Sequence, residues 1–244
     1  MKPTISGAAP DFGTLDVPLL VVALPSSPSL ATELAAVDVA TNGALGRSIA
    51  RRDFRGGRDE TLHLAGGERG IQRVLLVGLG TATDRPAALR RAAAIAARQA
   101  TRLGVGRLAF YAGALNATEV EAAGVGLGIG AWDFKEMKTA PPADEQRAPL
   151  DEAVVLAADA DARTTGARVA TALGEGFALA RKLGMLPGNV CTPDYLADTA
   201  RDIAKRLGMQ TTVMGRAAME EAKMGSFLAV AQGTTQEQIG RAHV

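Results

Sequence analysis

Only one cysteine, Cys191, occurs among the 244 residues of this chain. A single thiol cannot close an internal disulfide, so the sequence excludes a disulfide-stapled secreted fold and is typical of a reducing compartment. Long apolar runs are also missing. The longest near the start, Leu19 to Leu24, is far shorter than the ~20 residues of a membrane-spanning helix. Residues 1–10 lack the apolar segment of a secretory signal. We therefore expect a cytoplasmic protein.

Neither sign of charge is in excess, and aromatic side chains are few. The chain has 27 Lys and Arg against 26 Asp and Glu, a net charge of +1, and only 4% aromatic residues. This balance provides no overall field that would attract nucleic acid or an anionic membrane. The length suits one large domain or two modest ones, and the 47% hydrophobic content is that of an ordinary globular protein.

Apolar periodicity predicts strands alternating with helices along the chain. The clearest strand, residues 73–79, leads into a helix that begins near Asp84 and ends at Leu103. The other predicted strands are residues 17–24, 61–65, 107–111, 154–157, 210–214 and 227–231, and the other predicted helices are residues 38–52, 119–134, 163–186, 194–207 and 217–222. This order predicts an α/β fold with a parallel or mixed sheet.

Residues 186–197 contain a break between two helices. Pro187 and Gly188 end the first helix because proline cannot continue it and glycine suits the turn that follows. Thr192 is placed to cap the second helix, with Pro193 at its first position. Local chemistry alone therefore predicts a helix, a break and a second helix.

The same stretch resembles the entry to the catalytic domain of the leucyl aminopeptidase family, also called cytosol aminopeptidases. The resemblance rests on Pro187-Gly188-Asn189 with Thr192-Pro193 and Leu196-Ala197, on the block 224–233 at the right distance, and more loosely on residues 131–135 and 138–139. It implies a smaller N-terminal α/β domain, a long connecting helix and an α/β catalytic domain. It also implies that the protein is a hexameric exopeptidase, which uses two divalent cations, Mn or Zn, to release N-terminal amino acids from peptides.

On this resemblance the chain is divided into four parts. They are an N-terminal α/β domain (1–160), a connecting helix (161–186), the truncated start of a metallopeptidase catalytic domain (187–238) and a tail that we expect to be non-native (239–244). The final hexapeptide, which includes His243, is interpreted as translated read-through, and no function is expected of it.

Two-metal hydrolysis needs several carboxylates that converge on the cations. In the family these ligands resemble Lys-Gly-(apolar)-Thr-Phe-Asp-Thr-Gly-Gly, a further Asp, and Asn-Thr-Asp-Ala-Glu-Gly-Arg, and none of these patterns occurs here. After Met209 there is no Asp, and the only carboxylates are Glu220, Glu221 and Glu237. We therefore assign no catalytic, cofactor-binding or metal-binding residue within this chain and expect the fragment itself to be inactive.

Two glycine patterns have competing interpretations. Residues 77–83, which include Gly78 and Gly80, follow a strand and precede a helix, as in a dinucleotide fingerprint, but Thr83 replaces the third glycine. A plain strand-to-helix turn is favoured. The alternating glycines Gly124, Gly126, Gly128 and Gly130 lack the Lys-Ser/Thr of a phosphate loop, and close helix packing is favoured.

Other polar residues are weighed in the same way. Arg47, Arg51, Arg52, Arg55 and Arg58 form a basic patch that is suited to phosphates but is more typical of a solvated face or a subunit contact. Structural roles are favoured for His63, for Cys191 as a packed thiol, and for Asp194 and Asp198 near a helix start. Lys182 and Lys223 lie outside any metal-binding Lys motif.

Two rival functions stay open. One is a non-catalytic binding module whose N-terminal domain holds a nucleotide-like ligand or DNA through the arginine patch. The other is a complete small α/β enzyme, for which no set of converging titratable groups is evident.

Overall fold

Six strands form one sheet in the computed structural model, which describes residues 3–230 and the backbone of residues 240–242. The strands are β1 Thr4–Ala8, β2 Leu20–Pro25, β3 Thr61–Ala65, β4 Arg73–Gly80, β5 Arg107–Tyr111 and β6 Glu152–Leu156. Their order across the sheet is β1-β6-β5-β2-β4-β3. Neighbouring strands are parallel, except that the edge strand β3 runs antiparallel to β4. The predicted α/β fold with a mixed sheet is confirmed.

Helices cover both faces of this sheet. They are α1 Ala35–Ala40, α2 Ala44–Ala50, α3 Arg85–Leu103, α4 Ala117–Ala131 and α5 Ala160–Met185, with a 3₁₀ turn at Thr32–Leu34 before α1. Val21 of β2 packs in one core with α3 and α4, whereas Leu20 and Val22 pack in a second core with α1 and α2. Because both faces of β2 are buried, the strand is a continuous apolar run instead of an alternating one.

Side-chain caps fix where the two long crossover helices begin. The carboxylate of Asp84 accepts a hydrogen bond from the amide of Ala87 at 3.0 Å at the start of α3. At the start of α4, Asn116 and Glu119 form a capping box, each side chain bonding the other's backbone amide at 3.0 Å.

The glycines of α4 serve its packing against two other helices. A Cβ at Gly126 would lie 2.2 Å from the carbonyl oxygen of Arg90, and one at Gly130 would lie 2.3 Å from that of Ala94, both on α3. On the other side of α4, a Cβ at Gly124 would lie 2.6 Å from Cβ of Ala170 on α5. The predicted close helix packing is confirmed, because these glycines let the backbones approach.

The chain divides into two compact units, Met1–Ala180 and Arg181–Val244, and the division falls inside α5. The second unit contains α6 Pro193–Leu207, β7 Thr212–Met214, α7 Arg216–Glu221, α8 Gly225–Val230 and β8 Gly240–Ala242. Thr192 caps α6 by accepting from the amide of Tyr195 at 3.3 Å, with Pro193 at the first helical position, as predicted. The predicted domain boundaries at 160, 186 and 238 stay predictions.

Two elements differ from the sequence prediction. Residues 227–231 were expected as a strand, but α8 occupies 225–230, and residue 231 lies outside the described residues. A strand needs a hydrogen-bonded neighbour, and in the described part of the second unit β7 pairs with β8 and not with this segment. The helix predicted over 38–52 is two helices, because Asn42 (φ 51°) and Gly43 (φ 74°) adopt the left-handed conformation between them.

Smaller differences lie at the two ends of the chain. Strand β1 was not predicted, and β2 begins at Leu20 instead of residue 17, since Val17 forms only an isolated bridge with Ile71. Of the predicted tail 239–244, the structure describes only the backbone of β8, which pairs with β7. The other tail residues, His243 included, lie outside the described residues.

Candidate functional site

The carboxyl edge of the parallel strands is the natural place for a ligand in this first unit. The connection after β2 runs through α1 and α2 on one face of the sheet, whereas the connection after the adjacent β4 runs through α3 on the other. In open α/β sheets such a change of face opens a crevice at the strand ends. Two of the clefts formed by the described residues lie near this edge.

The first, which we name the arginine cleft, is lined by Ser27, Pro28, Ile49, Arg52, Phe54 and Arg55. Its volume is about 270 Å³. Phe54 is buried with 1% of its surface exposed, and both arginines are exposed. Of the predicted basic patch, the structure therefore brings Arg52 and Arg55 together at one cavity.

The rest of the patch does not line that cleft. Arg47 donates to the carbonyl oxygen of Asn42 at 2.8 Å, and Arg58 lies 3.7 Å from the carboxylate of Asp59. Arg51 is exposed at the end of α2.

The second, which we name the tyrosine cleft, has a volume of about 350 Å³ and includes Asp11, Phe12, Glu33 and Tyr111 in its lining. The hydroxyl of Tyr111 donates to Oε1 of Glu33, and the ring of Phe12 meets that of Tyr111 edge-on at 5.0 Å. Burial raises the pKa of Tyr111 above its usual value, and the hydrogen bond to Glu33 and the charge of that carboxylate add to the rise. The hydroxyl of Thr14, which donates to Asp11, lowers the pKa of that carboxyl.

Sequence reasoning missed the tyrosine cleft. Glu33 and Tyr111 are separated by 78 positions in the chain, and neither belongs to a recognisable motif. Only the tertiary fold, which sets the 3₁₀ turn beside the end of β5, brings them together.

The glycines of residues 77–83 support the strand-to-helix turn. A Cβ at Gly78 would lie 1.8 Å from the carbonyl oxygen of Gly57, so this glycine lets the 55–60 loop lie directly against β4. At the start of α3, the position that binds phosphate in a dinucleotide fold, the carboxylate of Asp84 already holds the amide of Ala87. The negative charge of the Asp84 carboxylate disfavours binding of an anion at the start of α3.

None of the remaining residues that were singled out belongs, within the described part of the chain, to a group placed to hold a metal ion. His63 is exposed on the edge strand β3, and Cys191 is a free, partly exposed thiol. Asp194 lies in the first turn of α6, as favoured, and Asp198 pairs with Arg201 at 2.6 Å. Lys223 follows α7 with a φ of 56°.

A two-cation centre does not fit the residues that the structure describes. Within residues 3–230 and 240–242, no group of three or more His, Cys, Asp or Glu is placed to hold a metal ion. None of the helices in these ranges is long and apolar enough to cross a bilayer.

Comparison with solved structures places the fold. The chain superposes on a mutant of tomato leucine aminopeptidase with a TM-score of 0.82 at 21% identity, covering 96% of this chain and 49% of that one. It superposes on the bottromycin maturation enzyme BotP with a TM-score of 0.69 at 22% identity, covering 90% and 44%. The α/β fold is thus that of the leucine aminopeptidases.

Sequence comparison identifies the family. Residues 21–141 match the N-terminal domain of the cytosol aminopeptidase family, and residues 178–240 match the catalytic domain of the same family. The chain belongs to the cytosol aminopeptidase family, as the motifs around Pro187 indicated.

Curated relatives agree with this assignment. A probable cytosol aminopeptidase of Burkholderia pseudomallei is 37% identical over 245 aligned positions, covering 94% of this chain and 47% of the relative. One of Cupriavidus taiwanensis is 35% identical over 240 positions, covering 89% and 46%. The chain therefore spans about half the length of the curated relatives that it matches.

Proposed function

We propose that these residues belong to a metal-dependent aminopeptidase that releases N-terminal amino acids from peptides. The observation that carries the proposal is the order of the two family matches, the N-terminal domain at 21–141 and the catalytic domain at 178–240. The fold similarity to a leucine aminopeptidase over 96% of the chain supports it.

The proposal divides the work between parts of the protein. The first unit supplies a folded α/β scaffold, and α5 leads from it into the segment that matches the catalytic domain. Under this proposal the ligands of two cations, manganese or zinc, lie in the portion of the relatives that this chain does not span, because the sequence contains none of the ligand patterns that the family resemblance implies. A manganese complex of BotP supports manganese. No residue of the 244 is assigned a catalytic, cofactor-binding or metal-binding role.

Assembly, location and domain bounds are further parts of the proposal. We expect a location in the cytosol, in line with the family's name, and a homohexamer, which the family resemblance implies, without a nucleic-acid or membrane partner. The N-terminal domain would end at 160, the connecting helix would occupy 161–186, and the catalytic segment would cover 187–238, with 239–244 a non-native tail.

The test compares two polypeptides from the same gene. The 244-residue chain and a version extended along the uninterrupted reading frame are assayed for hydrolysis of a leucyl anilide with and without Mn²⁺. We expect activity only in the extended protein, removed by a chelator and restored by the metal. An extended protein that folds but leaves the anilide intact, with Mn²⁺ or Zn²⁺ present, would contradict the proposal.

A further inference from the structure

We propose that the arginine cleft binds a small organic carboxylate, an anion that carries an apolar portion. The proposal concerns a cavity of the first unit and is independent of the proposed function. It rests on three features of the cleft. They are the guanidinium groups of Arg52 and Arg55, the apolar side chains of Ile49 and Phe54 in the lining, and the position at the carboxyl edge of the sheet.

The guanidinium groups of the cleft have no bonding partner among the described residues. Among the residues that the structure describes, the side chains of Arg52 and Arg55 have no hydrogen-bond or ion-pair partner. The carboxylate of Glu60 accepts from the backbone amides of Arg55 and Gly57, the latter at 2.7 Å, and forms no ion pair with either guanidinium. Two guanidinium groups therefore line one cavity, and no carboxylate of the described residues forms an ion pair with either of them.

The floor of the cleft determines what kind of anion fits. The apolar side chains that we call the floor are those of Ile49 and the buried Phe54, which pack in the same core. The arginines and Ser27 supply the polar part of the lining. A guanidinium binds a carboxylate through two parallel hydrogen bonds. A volume of about 270 Å³ is just under the ~300–1,000 Å³ of typical ligand pockets, which favours a ligand of a few carbon atoms with one planar anionic group.

The backbone holds the two arginines in place. The amide of Ser27 donates to the carbonyl oxygen of Arg55 at 2.9 Å, which ties the loop after β2 to the loop after α2. Ser27 (φ 56°) and Arg52 (φ 62°) both have the left-handed backbone that non-glycine residues rarely adopt. The chain thus places a guanidinium at position 52 where glycine would be under less strain.

The test uses the full 244-residue chain and measures binding of hexanoate by calorimetry. Hexylamine, with a similar apolar tail and the opposite charge, and inorganic phosphate, with no tail, are the comparison probes. We expect hexanoate to bind and hexylamine not to bind. Arg52→Gln with Arg55→Gln should weaken hexanoate binding roughly tenfold or more, since both charge-assisted contacts are lost.

Three variants serve as controls. Arg51→Gln removes an exposed arginine of the same patch that does not line the cleft, and it should leave the affinity unchanged. Arg52→Lys with Arg55→Lys keeps the positive charge but loses the paired N–H donors of the guanidinium, and this variant should bind hexanoate with intermediate affinity. Arg52→Gly suits the local backbone, so it removes one guanidinium without a folding penalty and should still weaken binding.

Several results would overturn the proposal. Equal loss of affinity in Arg51→Gln and in the double Gln variant would show a diffuse basic face instead of a cleft. If phosphate bound as tightly as hexanoate, the apolar side chains of the cleft would not contribute to binding. A salt-dependent shift of duplex DNA that Arg51→Gln abolishes, with no binding of hexanoate, would indicate the rival nucleic-acid module.

Discussion

Arg85, the first residue of α3, donates from Nη1 to Oε1 of Glu119 in the first turn of α4 at 2.7 Å. Its Nη2 donates to the carbonyl oxygens of Ala112 and Ala114, at 2.8 and 3.1 Å, in the loop after β5. The other oxygen of Glu119 accepts from the amide of Asn116. One guanidinium thus joins the starts of two crossover helices to the loop between them.

Removing this guanidinium should destabilise the first unit. Arg85→Ala would leave Glu119, only 7% exposed, without its cation. We expect the free energy of unfolding to fall by about 2 kcal/mol, below the ~3–5 kcal/mol of a fully buried pair, because the Arg85 side chain is 42% exposed. Urea unfolding followed by the fluorescence of Trp132, the chain's one tryptophan and the residue directly after α4, measures the change.

Arg107→Ala is the matched control. Arg107 pairs with Glu152 at 3.1 Å, with both side chains nearly half exposed, and an exposed pair contributes roughly 0–1 kcal/mol. If the two variants lost equal stability, the buried carboxylate of Glu119 would not be the source of the effect.

The glycines of α4 give a second prediction, in which alanine lowers the free energy of unfolding at one position and raises it at another. Gly126→Ala should lower the free energy of unfolding by about 1–3 kcal/mol, because its Cβ would meet the Arg90 carbonyl oxygen at 2.2 Å. Gly128→Ala has its nearest contact at 3.9 Å and should raise it by up to about 1 kcal/mol through helix propensity. Thermal and urea unfolding of both variants decide the matter, and a stabilised Gly126→Ala would refute the close packing.

The raised pKa of Tyr111 predicts a loss of stability at alkaline pH. Its folded-state pKa is raised above the ordinary value of 10.0, chiefly by burial and then by Glu33. The folded state therefore holds this proton more tightly than the unfolded chain. The stabilisation is complete below pH 10 and is lost as the pH rises above it. Unfolding free energies measured at neutral and alkaline pH should show this decline, and Tyr111→Phe should reduce it.

The chain has one other tyrosine, Tyr195, and this residue supplies the control. In the folded protein, ultraviolet absorbance should show a late phenol ionisation that persists in Tyr195→Phe and disappears in Tyr111→Phe. Persistence of the late ionisation in Tyr111→Phe would contradict the assignment.

Much of the first unit could be predicted from the sequence because each element carries its own local signal. The strand 61–65 was placed with its observed bounds, and α3 was recognised from Asp84 and Pro86, which begin a helix by capping and by preset backbone angles. The motif around Pro187 identified the family because a pattern of prolines and glycines is read without knowledge of the fold.

What escaped prediction depends on partners distant in the chain. Residues 227–231 are as apolar as a buried strand, but strand formation requires a neighbour that the sequence does not reveal. Arg85 and Glu119 are 34 positions apart, and only the fold brings them together. The arginine cleft was visible only as a basic patch, since spacing did not distinguish Arg51 from Arg52.

Metal binding by the 244-residue chain tests the central claim most directly. The chain is dialysed against Mn²⁺ and then against metal-free buffer, its bound metal is measured, and leucyl anilide hydrolysis is assayed on the same sample. The account predicts no retained Mn²⁺ and no hydrolysis, because the described residues offer no converging ligands. Retention of ~two ions per chain, together with hydrolysis that a chelator abolishes, would contradict it.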